Sequence, residues 1–233
     1  MKTTKSLKAQ KNPLADPKKQ IAILNNGLFK DNGHQLDKPS TINHQPSTLK
    51  LPRFEQKLKS IGLLPLKPTQ IEILQVNVGY MCNLTCSHCH VDAGPDRKEI
   101  MTIETMQYCI EAFKKAPSIQ TIDLTGGAPE MNPDFLWFVE AISRLKRKTI
   151  VRSNLTILVA NKKFRHYPEF FEKHKVIVIA SLPCYTAENT DKQRGDGVFS
   201  KSIEALINLN KHGYGKEETG LELHLVYNPV GPF

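Results

Sequence analysis

The sequence predicts an α/β fold, a partial parallel barrel that runs through five strands. Three observations carry this. Short apolar, β-branched segments alternate with amphipathic helical ones, the order that yields a parallel sheet with helical crossovers. Each unusual polar segment falls directly after a strand, where parallel α/β barrels build their active sites. The chain of 233 residues, 39% hydrophobic and 24% charged, can bury a core of its own.

Residues 1–50, rich in Lys, Gln, Asn, Pro and Thr around one apolar patch, "IAILNNGLF", are expected to be a disordered leader. Residues 51–70 supply a short helix in "RFEQKLKSIGLL" and a lead-in, "PLKP". The core then runs from 71 to 233. "IEILQVNV" (71–78) reads as the first strand. "TIETMQYCIEAFKKA" reads as a helix capped by Thr102, with Ile103, Met106, Ile110 and Phe113 on one face. "TIDL" (121–124) is a strand. "NPDFLWFVEAISRLKR" is a helix with Asn132 as N-cap and Pro133 in its first turn. "TIVRS" (149–153), the short helix "PEFFEKH", "VIVIAS" (176–181), the helix "VFSKSIEALINLNKHG" stopped by Gly213, and "LELHLV" (221–226) complete the alternation. A sheet of this kind that stops at "YNPVGPF", with no covering helix, is expected to be truncated after its fifth strand.

Charge narrows the function classes. The net charge of +9 resides almost wholly in residues 1–60, which hold twelve Lys/Arg against four Asp/Glu, and the remainder is nearly neutral. A basic stripe for nucleic acid is therefore not expected in the core. Neither a signal-type apolar region nor a membrane span is evident, and a cytoplasmic location is expected. Five cysteines, three of them clustered, do not form a disulfide framework and fit a reducing compartment.

The cluster is Cys82-x3-Cys86-x2-Cys89, inside "CNLTCSHCHVDAG" after the first strand. Three thiolates from one loop suit three irons of a [4Fe–4S] cube, leaving one iron without a protein ligand. Zinc bound by Cys86 and Cys89 with His88 or His90 is the alternative, as the centre of a binding module, but such sites usually have a distant second half. The other cysteines are single. Cys109 flanks the apolar face of a helix and reads as core, and Cys184 lies in the loop after the fourth strand.

The string "YMCNLTCSHC" resembles the cluster loop of radical S-adenosylmethionine enzymes. With "GGAPEMNP", "RSNLTIL", "ASLPCYT", "DKQRGDGVFSKSIEALINLN" and "LVYNPVGP", residues 53–233 are similar to one branch of that superfamily, the radical enzymes of arsenosugar biosynthesis, whose Cys-rich C-terminal domain is absent here. The resemblance implies that the partial barrel is of the (β/α)6 type. It implies two cofactors, a [4Fe–4S] cluster held by Cys82, Cys86 and Cys89, and S-adenosylmethionine, cleaved to a 5′-deoxyadenosyl radical. It implies an electron donor such as flavodoxin or ferredoxin, and a small-molecule substrate, a methylated arsenical. A peptide or another small metabolite is the second substrate expectation.

For the cofactor, the resemblance implies Gly126 and Gly127, whose backbone receives its ammonium. Glu130 stands in for the acidic residue that usually follows the glycines directly; here Ala128 and Pro129 intervene. Ser153 and Asn154 are expected at its carboxylate or ribose, with Arg152 turned away or reaching the carboxylate and Ser181 a further ribose candidate. His88 is expected to pack on the adenine. Cys184 is the catalytic candidate, a thiol suited to thiophilic arsenic, and Arg194 a candidate for an anionic substrate.

Overall fold

The computed structural model describes residues 52–67 and 69–229; the leader expected over 1–50 lies outside them. The described chain opens with α1 (Phe54–Ser60), which buries only Leu58. Five strands follow, β1 (Ile73–Asn77), β2 (Thr121–Thr125), β3 (Lys148–Ser153), β4 (Ile177–Ser181) and β5 (Leu223–Val226). They pair in parallel in the order of the sequence, β1-β2-β3-β4-β5, with no switch point. Crossovers between parallel strands are right-handed almost without exception, so strands added always on one side place every helix on one face. The result is a curved half-barrel, as the sequence predicts. No helix among the described residues is long and apolar enough to cross a membrane.

Register explains which side chains face the helices. Val76, Leu124, Val151, Val178 and Leu223 stand side by side across the five strands. The first four are buried, and burying each is worth roughly 1.5–3 kcal/mol. The alternate positions face the concave side and are polar at its centre. There Arg152 Nε and Nη2 grip Asp123 at 2.9 and 2.7 Å, while Gln75 Nε2 donates to Asp123 at 2.9 Å.

The helices close over the apolar face. Thr102 caps α2 (Ile103–Lys115), accepting from the Thr105 N–H, and Met106, Ile110 and Phe113 are buried, whereas Ile103 at the first turn is exposed. The third helix, α3 (Phe135–Arg144), begins later than the expected cap at Asn132, because Pro129–Met131 forms a 3-10 turn first. Phe135 meets Tyr167 and Phe171 of α4 (Tyr167–Lys173), with ring centroids 5.9 and 6.2 Å apart. After β4 come α5 (Ala187–Arg194) and α6 (Val198–Lys211). Helix α5 is absent from the sequence reading. Its sequence, "AENTDKQR", has no apolar stripe, and its buried residues are Thr190, Gln193 and Arg194.

Candidate active site

The segment between β1 and α2 is a long loop zipped at its neck. Met101 donates to Val78 O at 3.0 Å, Tyr80 to Glu99 O at 2.8 Å, and Cys82 to Gly94 O at 3.2 Å. Asn132, buried under this neck, donates through Nδ2 to both Val78 O (2.8 Å) and Met101 O (2.9 Å). Its Oδ1 accepts from the Asp134 N–H. The residue expected as a helix cap thus clamps the loop to the segment after β2. Arg97 braces the loop inside, paired with Asp92 and Glu99 and lying 4.8 Å over the Tyr80 ring.

Gly126 and Gly127 are required by this packing. A Cβ on Gly126 would stand 2.4 Å from Gly79 O, and one on Gly127 2.4 Å from Met81 O. Gly126 also has φ +144°, in the region that favours glycine. Gly127 N–H donates to Gly79 O and Ala128 N–H to Met81 O, so the two loops run in hydrogen-bonded contact.

Between them lies a cleft of about 250 Å³, lined by Cys82, Cys86, Cys89, His88, Gly126, Gly127, Asn154, Arg152, Ser181 and Arg194 among others. Three larger grooves, about 560 and 540 Å³ on the helical exterior and about 340 Å³ beside the loop neck, bring none of the candidate residues together. All three loop cysteines are free thiols. Cys82 Sγ accepts from Leu84 N–H (3.4 Å) and Asn154 Nδ2 (3.4 Å), and Cys89 Sγ from Ala93 N–H (3.3 Å). Burial pushes the Cys82 thiol up to about 11, against the pull of the Leu84 and Asn154 donors. Burial also raises Cys86, opposed by the Arg194 guanidinium. His88 is held below its usual value by burial and by Arg194, which favours a neutral ring.

The donor set fits an iron–sulfur cube. Among the described residues no three His, Cys, Asp or Glu side chains converge where a single metal ion could sit. A cubane asks for a wider spacing of its thiolates, because each binds a different iron. The N–H groups aimed at sulfur suit thiolates whose charge stays on the protein side of a metal centre.

Of the expected cofactor residues, Gly126, Gly127, Asn154 and His88 line the cleft, and Ser153 and Glu130 do not. Strand alternation is the reason for Ser153. Arg152 and Asn154 face the concave side, and Ser153 between them faces the helices. Glu130 lies within the 3-10 turn Pro129–Met131 and is wholly buried, and its carboxyl is pushed up to about 7 by desolvation. Cys184 is also outside the cleft, tucked into its own loop. Its sulfur lies 3.4 Å from Thr186 Oγ1 and 3.8 Å from Asn189 Nδ2, and the Thr186 hydrogen bond holds the thiol below its usual range.

Arg194 has a larger part than the sequence suggested. It is buried at the end of α5, hydrogen-bonded to Ser181 O, with its Nε left without a partner. The preceding Gln193 O accepts from both the N–H and the hydroxyl of Ser87, tying α5 to the cysteine loop. A helix without an apolar stripe gives no periodic signal, so nothing in the sequence marks Gln193 and Arg194 as buried.

Comparison with known proteins agrees with this geometry. The profile of the Radical SAM superfamily matches residues 76–228. The antilisterial bacteriocin subtilosin biosynthesis protein AlbA of Bacillus subtilis is 26% identical over 141 residues, 58% of this chain and 29% of that protein. The mycofactocin maturase MftC of Mycolicibacterium smegmatis is 28% identical over 142 residues, 58% of this chain and 33% of that protein. The chain therefore spans about a third of the length of these curated relatives. Streptococcus suis SuiB bound to its precursor peptide SuiA shares the fold, with a TM-score of 0.54 at 18% identity over 88% of this chain and 43% of that one. SuiB bound to S-adenosylmethionine gives 0.52 at 19% identity, over 73% and 36%.

Proposed function

Since the chain belongs to the Radical SAM superfamily, whose members use a [4Fe–4S] cluster and S-adenosylmethionine, we propose that it is a radical S-adenosylmethionine enzyme with its reaction centre in the cysteine-lined cleft. The observation that carries this is three free thiols from one loop facing a cleft that also exposes the Gly126–Gly127 backbone and two guanidinium groups. When bound, the cofactor pair supplies one-electron cleavage of the sulfonium carbon–sulfur bond and a 5′-deoxyadenosyl radical. The protein holds, orients and shields. Cys82, Cys86 and Cys89 bind the cluster. The Gly126–Gly127 backbone receives the cofactor's ammonium, and Arg152, fixed in place by Asp123, faces its carboxylate. The neutral His88 ring packs on the adenine, and Ser181 serves the ribose. Glu130 and Ser153 act behind the sheet, as support. A flavodoxin or ferredoxin delivers the electron.

For the substrate, the strings that resemble those of arsenosugar-forming enzymes support a methylated arsenical that is joined to the 5′-deoxyadenosyl group, with Cys184, in the loop after β4, as a thiol for arsenic. A second reading, a peptide substrate, is favoured by the relatives named for subtilosin and mycofactocin.

Purified without oxygen and reconstituted with iron and sulfide, the protein is expected to be brown and to cleave S-adenosylmethionine under a strong reductant. Cys82→Ala is expected to abolish both. A colourless protein with one bound zinc overturns the proposal. Mass spectrometry then separates the substrates: an adenosyl–arsenic adduct with methylated arsenite supports the first, and a mass change in a co-expressed short peptide the second.

A further inference from the structure

Asn154 stands in the cleft without reaching into its open space, because both ends of its amide are already engaged. Oδ1 accepts from the backbone N–H of Ile157 at 3.0 Å and from Thr156 Oγ1 at 3.1 Å. A backbone N–H can only donate, so this bond fixes the amide orientation and turns Nδ2 toward the cysteine loop. One Nδ2 hydrogen goes to Asn83 Oδ1 at 2.8 Å and the other to Cys82 Sγ at 3.4 Å. Asn83 in turn donates to Thr156 Oγ1 at 2.9 Å, closing a ring of three side chains that binds the end of β3 to the loop. Asn154 and Thr156 of this ring are buried, as is Cys82 beside them, and Asn83 is half-buried.

We propose that Asn154 is a positioning residue that sets the reduction potential of the cluster held by Cys82, through a rigid N–H donor aimed at the ligand sulfur. This rests on the cluster reading above. Adding an electron increases the negative charge on the cluster and its sulfur ligands, so an N–H pointed at sulfur stabilises the reduced form more than the oxidised one. In a buried site that preference is not diluted by water. The effect adds to that of the Leu84 N–H on the same sulfur and the Ala93 N–H on Cys89. Among these three donors only Asn154 is a side chain, and so only it can be removed by substitution. The amide therefore acts on the electron-accepting step rather than on the cofactor's carboxylate or ribose.

The test is an anaerobic redox titration of the reconstituted full chain, followed by the paramagnetic signal of the reduced cluster. Asn154→Leu removes the donor and keeps the branched shape of the side chain. Its cluster is expected to be harder to reduce by roughly tenfold in the oxidised-to-reduced equilibrium, about 59 mV for one electron. Thr156→Val loosens the same ring but keeps the donor, and is expected to leave the potential at the wild-type value. If Asn154→Leu takes up no cluster, Asn154→Asp carries the test. It keeps the acceptor for Ile157 and is expected to shift the potential in the same direction. A wild-type potential in the cluster-loaded Asn154 variant, or an equal shift in Thr156→Val, overturns the inference while leaving the cluster reading intact. A wild-type chain that binds no iron and sulfide overturns the cluster reading itself.

Discussion

Glu130 shows how one side chain can oppose the fold that contains it. Its carboxyl is wholly buried, and the Ser153 hydroxyl beside it offsets only part of the desolvation. Burial lifts it to about 7 from an ordinary value of 4.5. The folded chain therefore keeps this proton through a pH range in which the unfolded chain has released it. Its stabilising influence is full below pH 4.5 and is lost as pH rises through 7, a change on the order of 3 kcal/mol. Glu130→Gln is expected to melt at about the wild-type temperature near pH 4.5 and several degrees above it at pH 8. Thermal melts across that range check it, and parallel curves for the two proteins would refute it. The three cysteines were legible in the sequence because their spacing lies within one loop. Glu130 is buried because it sits in the 3-10 turn after β2, which carries no alternation to read. Ser153 falls on the helix side because a strand reverses its side-chain direction at each residue. A single-residue error in phase exchanges cleft for core.

At the scale of elements, the cysteine loop owes its shape to parts that are distant in sequence. Strands and amphipathic helices could be read from their periodicity, and so could the Thr102 cap. Asn132 could not: beside Pro133 it has the pattern of a helix start, and only the folded chain brings it under Val78 and Met101. Helix α5 was missed because polar contacts, not an apolar stripe, dock it on the loop. Asn132→Leu leaves two carbonyls at the neck without their side-chain donor and is expected to cost about 2–4 kcal/mol. Urea unfolding measures that loss, and hydrogen exchange at the Met101 amide, which closes the neck onto Val78 O, should quicken with it. A variant with an unchanged midpoint and unchanged exchange would show that the neck is held by the backbone alone.

Across the whole molecule, the five-stranded sheet presents two edges, since among the described residues β1 pairs only with β2 and β5 only with β4. Both edges are apolar: Ile71 and Ile73 are 62% and 55% exposed, Leu225 and Val226 52% and 42%. Open edges with exposed apolar side chains invite pairing between chains. The double substitution Ile73→Lys with Leu225→Lys is expected to reduce self-association in sedimentation velocity, with little change in melting temperature. Equal association of both proteins would show that the edges are not the contact. The neutral core charge and the half-barrel were both evident from composition and alternation. The apolar edges were not, because an alternating strand reads the same whether or not a neighbour pairs with it.

Sequential strand order also bears on how the protein is made. Each strand meets a partner that has already left the ribosome, so the sheet can lengthen in step with translation, one crossover at a time. The sulfur-bearing loop follows a different timetable. Its thiols are synthesised after β1, but Asn132, Asn154 and Arg194, which clamp and surround them, arrive only with the segments after β2, β3 and β4. A nascent chain therefore carries these thiols on an unfastened loop until the segment after β4 is made, and the loop takes its final shape only once four strands are in place.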